Sequence, residues 1–208
     1  MSIKSAWKRY KTRKSKVGIV ADLAFLMAVV VVVSPPLRRG VLTYALRMTI
    51  VEPDEYDKIV YLDSLDNFTL HNAQGADTML TFPPSRPMII NVGSIMSPQS
   101  RAELRSLNIM ADKYAKWMNV YFVSTDEPKD ALQYLRRKKY SALRTYFAPD
   151  IDYIDSAPDD MQGLASEMIM SEPATIMVDT AGRVRIKKTG AARWTGQKID
   201  KVIMDVLF

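Results

Sequence analysis

Apolar and polar positions follow three rhythms along this chain. The first is an almost unbroken apolar run at residues 17–33, VGIVADLAFLMAVVVVV, whose only charge is Asp22. With Ser34 it comes close to the ~20 residues a helix needs to cross a hydrocarbon core. The second rhythm is helical spacing. In residues 37–50, Leu42, Ala45, Leu46 and Thr49 share a face with Val41 beside it. That predicts a short juxtamembrane amphipathic helix. Docking on the folded domain is its plainer fate, and the outer membrane–water interface is the alternative. The third rhythm is the short apolar run bounded by turn residues, which predicts strands.

Val60, Tyr61 and Leu62 read as an edge strand. Phe68, Thr69 and Leu70 pair as a hairpin with Met79, Leu80, Thr81 and Phe82 across an Asn72-Ala73-Gln74-Gly75 turn. Pro83, Pro84 and Pro87 punctuate the loop that follows. Met88, Ile89, Ile90 and Val92 predict a buried strand ending at Gly93-Ser94. A helix then starts with Ser97 as N-cap and Pro98 at its first position, where a missing N–H costs nothing. Leu104, Leu107, Ala111, Tyr114 and Met118 give it an apolar face. Next come a strand at residues 120–124, a helix from Pro128 with four cations at 136–139, and an extended segment within 140–147. Asp159 and Asp160 are expected to open a short helix reaching about Met168. A buried strand after Pro173, a turn at 180–183, a returning strand with Val184, Ile186 and Lys188, and a last helix at 196–207 complete the order. Mixed strands and helices of this kind predict an α/β fold with helices flanking a central sheet.

Charge changes one part of this picture. The formal net charge is +6, but residues 1–16 hold seven cations and no acid, so removing them leaves about −1. The basic excess belongs to the tail and is no sign of a nucleic-acid-binding face, and no nucleic acid partner is expected. Ahead of an apolar run, such a tail predicts a cytoplasmic amino terminus and a carboxy-terminal domain on the far side. Residues 34–36 offer no good cleavage site, which favours an uncleaved signal-anchor. The expected organisation is a basic tail at 1–16, a transmembrane anchor at 17–34, a juxtamembrane helix and linker at 35–64, and one domain at 65–208.

Composition removes several chemistries. The chain has no cysteine and one histidine, His71. Disulfides, thiolate catalysis, zinc–sulfur and iron–sulfur sites are excluded, and so is a histidine metal cluster. No metal or other cofactor is expected. His71 reads as a solvated turn residue rather than a catalyst. The acidic stretch at 149–160 fails as a calcium loop, because Ile154 stands where a ligand is needed and the turn glycine is missing.

A strand, a tight turn and a helix N-terminus form a common place for chemistry, since unpaired N–H groups and the helix dipole favour anions there. The stretch Met-Ile-Ile-Asn-Val-Gly-Ser-Ile-Met-Ser-Pro-Gln-Ser-Arg-Ala-Glu-Leu at 88–104 does more. It resembles the active-site segment of thioredoxin-like proteins, especially the membrane-anchored thiol–disulfide reductases of the bacterial envelope. Their pattern is roughly Asn-Phe-Trp-Ala-x-Trp-Cys-Pro-x-Cys-Arg-x-Glu-Leu. Asn91, Pro98, Arg101, Glu103 and Leu104 fall in register. Ser97 and Ser100 occupy the two cysteine positions, and Gly93 and Met96 the two tryptophan positions. Pro173 matches the family's cis proline. The resemblance covers about 68–208 and implies a thioredoxin-like fold, a cis Glu172–Pro173 bond and a single-pass inner-membrane protein with its domain in the periplasm.

Serine cannot form a disulfide, so Ser97 and Ser100 cannot carry the family's reaction. No Gly-x-Ser-x-Gly context or neighbouring histidine marks Ser97 as another kind of nucleophile. What the resemblance leaves is a binding surface beside the residue before the cis proline, here Glu172, where extended backbone can be held without a thiol. Met96, Pro98, Glu172 and Pro173 are its candidate residues; Trp194 belongs either to the surface or to the core. The expected function is a redox-inactive, membrane-anchored domain that binds another envelope or membrane protein or serves as a structural subunit. Alternatives are an enzyme of non-thiol chemistry on the same scaffold and a holdase for envelope proteins. Each leaves room for a homo-oligomer.

Overall fold

Six consecutive buried residues, Met88–Gly93, form β3, the strand from which the rest of the sheet is laid out. A strand buried on both faces must be covered on both, and its apolar run was the clearest strand signal in the chain. The computed structural model describes residues 15–64, 68–147 and 173–207. In it β3 pairs in parallel with β4, Asn119–Ser124, and antiparallel with β6, Ala174–Val178. β5, Arg144–Phe147, runs parallel to β4. The hairpin of β1, Phe68–His71, and β2, Asp77–Leu80, extends the sheet beyond β5, while β7, Val184–Thr189, closes the other side. Among the described residues the seven strands stand in the order β2-β1-β5-β4-β3-β6-β7.

Alternation along β3 divides the core in two, because successive strand residues point to opposite faces. Ile89 joins Phe122, Met177 and Ile186 under three helices: α3, Pro98–Lys113; α4, Pro128–Lys138; and α5, Gln197–Leu207. Met88, Ile90 and Val92 point the other way and pack with Tyr121, Val123, Ile176, Leu62, Leu80 and Phe82. The central helix ends at Lys113, earlier than its apolar spacing suggests, yet Tyr114 and Met118 are still buried just beyond it. There the Tyr114 hydroxyl and Lys113 Nζ both donate to Asp200, at 2.7 and 2.8 Å, tying α3 to α5.

Upstream lie α1, Lys16–Val33, and α2, Pro35–Thr49. The chain divides into two compact units, Met1–Leu42 and Thr43–Phe208. α1 has no buried residue and is long and apolar enough to cross a membrane. The face expected to dock α2 is not the one that does. Leu42, Ala45 and Thr49 are exposed and Leu46 is half-buried, whereas Thr43 is buried. Arg47 makes the main contact, donating from Nη2 to the Arg101 carbonyl at 3.1 Å and to the Tyr140 hydroxyl at 3.2 Å. Polar bonds, not the apolar face, fix this end of the helix.

Residues 50–62 then run along β7. Tyr56 N–H donates to Arg185 O, Leu62 N–H to Gly182 O, and Val184 N–H to Val60 O. Tyr61 bridges Arg183 antiparallel, in keeping with the edge strand expected there. Gly182 lies at φ +82°, and a side chain on it would run into the Leu62 carbonyl. His71 sits at the exposed end of β1, 2.7 Å from Asp77 Oδ1. The acidic stretch, the helix expected near 159–168 and the Glu172–Pro173 bond lie outside the described residues; among those described, the cis peptide bond is Phe82–Pro83.

Candidate functional site

Where β3 ends, the backbone must turn at once into α3, and four devices hold that turn. Ser97 has extended backbone geometry, and its hydroxyl accepts from the Ser100 N–H at 3.4 Å, as a helix cap should. Pro98 occupies the first turn of the helix. Asp126, from the loop after β4, accepts from the Ser94 hydroxyl at 2.6 Å, the Ile95 N–H at 2.6 Å and the Ser124 hydroxyl at 2.9 Å. That carboxylate pegs the turn to the neighbouring strand. Arg101 Nε donates to the Ile95 carbonyl, and its guanidinium lies 4.8 Å from the centre of the Tyr134 ring.

Ser100 is 1% exposed and accepts from the Ser94 N–H at 3.3 Å. A Cβ on Gly93 would meet the Ser100 hydroxyl at 2.7 Å and Pro173 Cβ at 3.5 Å. The end of β3, the first turn of α3 and the segment entering β6 therefore converge on one point. With the Ser100 hydroxyl where it stands, a side chain at position 93 would have to displace it. Pro173 is buried, and its carbonyl accepts from Gly190 N–H at 2.7 Å. Met96 stands out beside this convergence, 45% exposed, with Ser97 and Pro98 partly buried. Of the residues singled out from sequence, Ser97, Pro98, Ser100 and Pro173 meet around this turn and Met96 caps its solvent side. Glu172 is outside the described residues.

Behind the turn lies a group that sequence spacing placed in register but gave no role. Glu103 is fully buried. Its Oε1 accepts from Trp194 Nε1 at 2.5 Å, Thr175 Oγ1 at 3.0 Å and Asn91 Nδ2 at 3.2 Å. Asn91 also donates to Thr175 Oγ1 at 2.7 Å. The Ser106 hydroxyl donates to the Glu103 carbonyl and accepts from Trp194 N–H. Trp194 is thus a core residue held by polar bonds. Burial pushes the Glu103 carboxyl up to about 8, more than the Trp194 and Thr175 hydrogen bonds pull it down. Among the described residues Asn91 Oδ1 has no hydrogen-bond partner, and the Ala192 backbone adds a further contact that favours the Glu103 carboxylate. A glutamate between Ala102 and Leu104 on an apolar face was the available signal for this network.

Chemically, the Ser97 and Ser100 hydroxyls each accept from a backbone N–H, and among the described contacts neither donates to a base; the turn hydroxyl that does meet a carboxylate is Ser94, on Asp126. No group of three or more histidine, cysteine or acidic side chains that could hold a metal occurs among the described residues.

No family model and no curated protein sequence matches this chain. Solved structures do resemble it. The thioredoxin domain of a thiol-disulfide oxidoreductase from Bacteroides vulgatus aligns with a TM-score of 0.54 at 16% identity, over 73% of this chain and 100% of that one. A thiol:disulfide interchange protein of the thioredoxin family from Chlorobium tepidum gives 0.52 at 14% identity, over 76% and 97%. A thiol:disulfide interchange protein from a Bacteroides species gives 0.52 at 16% identity, over 76% and 91%. The fold is thioredoxin-like, as the sequence led us to expect, and the chain that adopts it here has no thiol.

Proposed function

We propose that this chain is a membrane-anchored domain of the bacterial envelope that holds an extended segment of another envelope or membrane protein and exchanges no electrons with it. The observation that carries this is the state of Ser97 and Ser100. By resemblance they stand where sulfur would react, and both hydroxyls are engaged as acceptors for backbone N–H groups. The cradle keeps its shape without its reagent. Met96 and Pro98 offer an apolar contact at its rim, and Glu172, the residue before Pro173, would supply the backbone hydrogen-bonding groups to a bound strand. α1 supports the anchoring role through its length and its lack of buried residues.

The test compares two full-length proteins purified in mild detergent. Wild type should retain a stoichiometric membrane or envelope protein, and Met96→Asp should lose it while circular dichroism stays unchanged. A wild-type preparation with no stoichiometric partner would refute the proposal, and so would a partner indifferent to Met96→Asp.

A further inference from the structure

Along α2, Leu37, Val41, Tyr44 and Met48 recur at intervals of four, three and four residues, which puts them on one side of the helix. They are 49, 51, 63 and 72% exposed. Thr43 and Arg47, which make the helix's buried contacts, lie on a different sector. Arg38 is exposed on a third, away from the stripe. This is therefore an apolar stripe along one helix that packing within either unit leaves uncovered.

Two features decide what covers it. The first is area. Even with a tyrosine, four side chains present on the order of a few hundred Å². A specific protein interface takes roughly 800 Å² from each partner. A second copy of the helix would gain too little from this stripe to hold. The second is position. α2 begins at Pro35 with only Ser34 between it and the apolar α1. A tether that short keeps the stripe continuously beside whatever α1 enters, which no freely diffusing partner can match. The composition also suits a lipid boundary. Tyrosine prefers the headgroup level, and Arg38, about a quarter-turn round the helix from the stripe, can reach water and phosphate there.

We propose that α2 lays Leu37, Val41, Tyr44 and Met48 on the lipid surface next to the point where α1 leaves it, so that the helix is an interfacial element and not a free linker. This rests on the anchoring role of α1 proposed above.

Because the natural chain has no cysteine, single-cysteine variants report one position each. Met27→Cys in α1, Tyr44→Cys and Met48→Cys in the stripe, and Lys129→Cys in the exposed first turn of α4 are labelled with bimane. Each full-length protein is reconstituted into vesicles of phosphatidylcholine and phosphatidylglycerol brominated high on the acyl chain. The labels at 44 and 48 should lose most of their emission to bromine and resist aqueous iodide, as at 27, with the reverse at 129. Bromine quenching at 27 together with iodide quenching at 44 and 48 would overturn the proposal while the anchor stands. Iodide access at 27 as well would remove both. Disulfide-linked dimers of unlabelled Tyr44→Cys or Met48→Cys, without bromine quenching, would make a second copy the occupant and overturn it too.

Discussion

Burial of Glu103 makes the folded domain a proton carrier near neutrality. The carboxyl ordinarily titrates near 4.5, and in the fold it is raised to about 8. Between those values the folded state keeps a proton that the unfolded chain releases. Stability is therefore full at low pH and falls as pH rises, by about 1.4 kcal/mol per unit at most. Glu103→Gln offers Trp194, Thr175 and Asn91 the same carbonyl oxygen with no proton to lose. We expect wild type to unfold at progressively lower urea concentration from pH 5 to pH 8, and the glutamine variant to change far less. A wild-type midpoint that stays put over that range would contradict the assignment. The paired change Ser97→Cys and Ser100→Cys tests the turn itself. Under mild oxidation, mass spectrometry should find an internal disulfide; two free thiols would mean that the turn holds these side chains apart. Ser97 and Pro98 were legible because capping is local chemistry. The role of Glu103 was not, because its partners lie 12, 72 and 91 residues away.

Elements show the same division. β3 and β4 announced themselves as apolar runs, and α3 as a serine–proline start followed by helical spacing. α2 misled because its most regular apolar residues are the exposed ones, while an arginine does the docking. The start of α5 was legible from its spacing, expected at 196 and found at Gln197, but its cap was not. Its first-turn N–H groups at Lys198 and Ile199 donate to Glu52 Oε2 at 2.9 and 3.1 Å, and Arg193 Nη2 donates to the other oxygen at 3.1 Å. The cap thus comes from 146 residues upstream. A side chain on Gly196 would collide with that carboxylate. Partial burial works against the charge of Glu52, but the bonds from Ile199, Arg193 and Lys198 outweigh it and lower its pKa. Its contribution is therefore present above the usual carboxylate range and lost as pH falls through the depressed value. Glu52→Ala should cost about 1 kcal/mol, with Glu52→Gln recovering part of it. Hydrogen exchange at the Lys198 and Ile199 amides should accelerate in the alanine variant; unchanged rates would show that the cap carries no weight.

For the molecule as a whole, residues 50–62 belong with the sheet as much as any strand does. They cover the outer border of β7, which would otherwise present unpaired backbone groups. Arg185 bonds Glu55 across the same seam, at 2.9 Å from Nε and 2.5 Å from Nη2. A fragment of residues 43–208 should unfold cooperatively, whereas one of 65–208 should melt earlier and associate through the bared strand. Light scattering and thermal scans of the two would decide, and equal melting temperatures would deny the segment its part. Sequence hinted at this border through Val60, Tyr61 and Leu62 but could not show how far the seam extends.

That seam also lies on the route by which any pull from the amino-terminal side would reach the sheet. Its links stand one behind another, Val51 to Arg193, then Glu52 to α5, Tyr56 to Arg185, and Val60 and Leu62 to the last turn. Load would open them singly, like stitches, at low force. The Arg47 bonds to Arg101 and Tyr140 stand ahead of the first stitch and would have to give way before it.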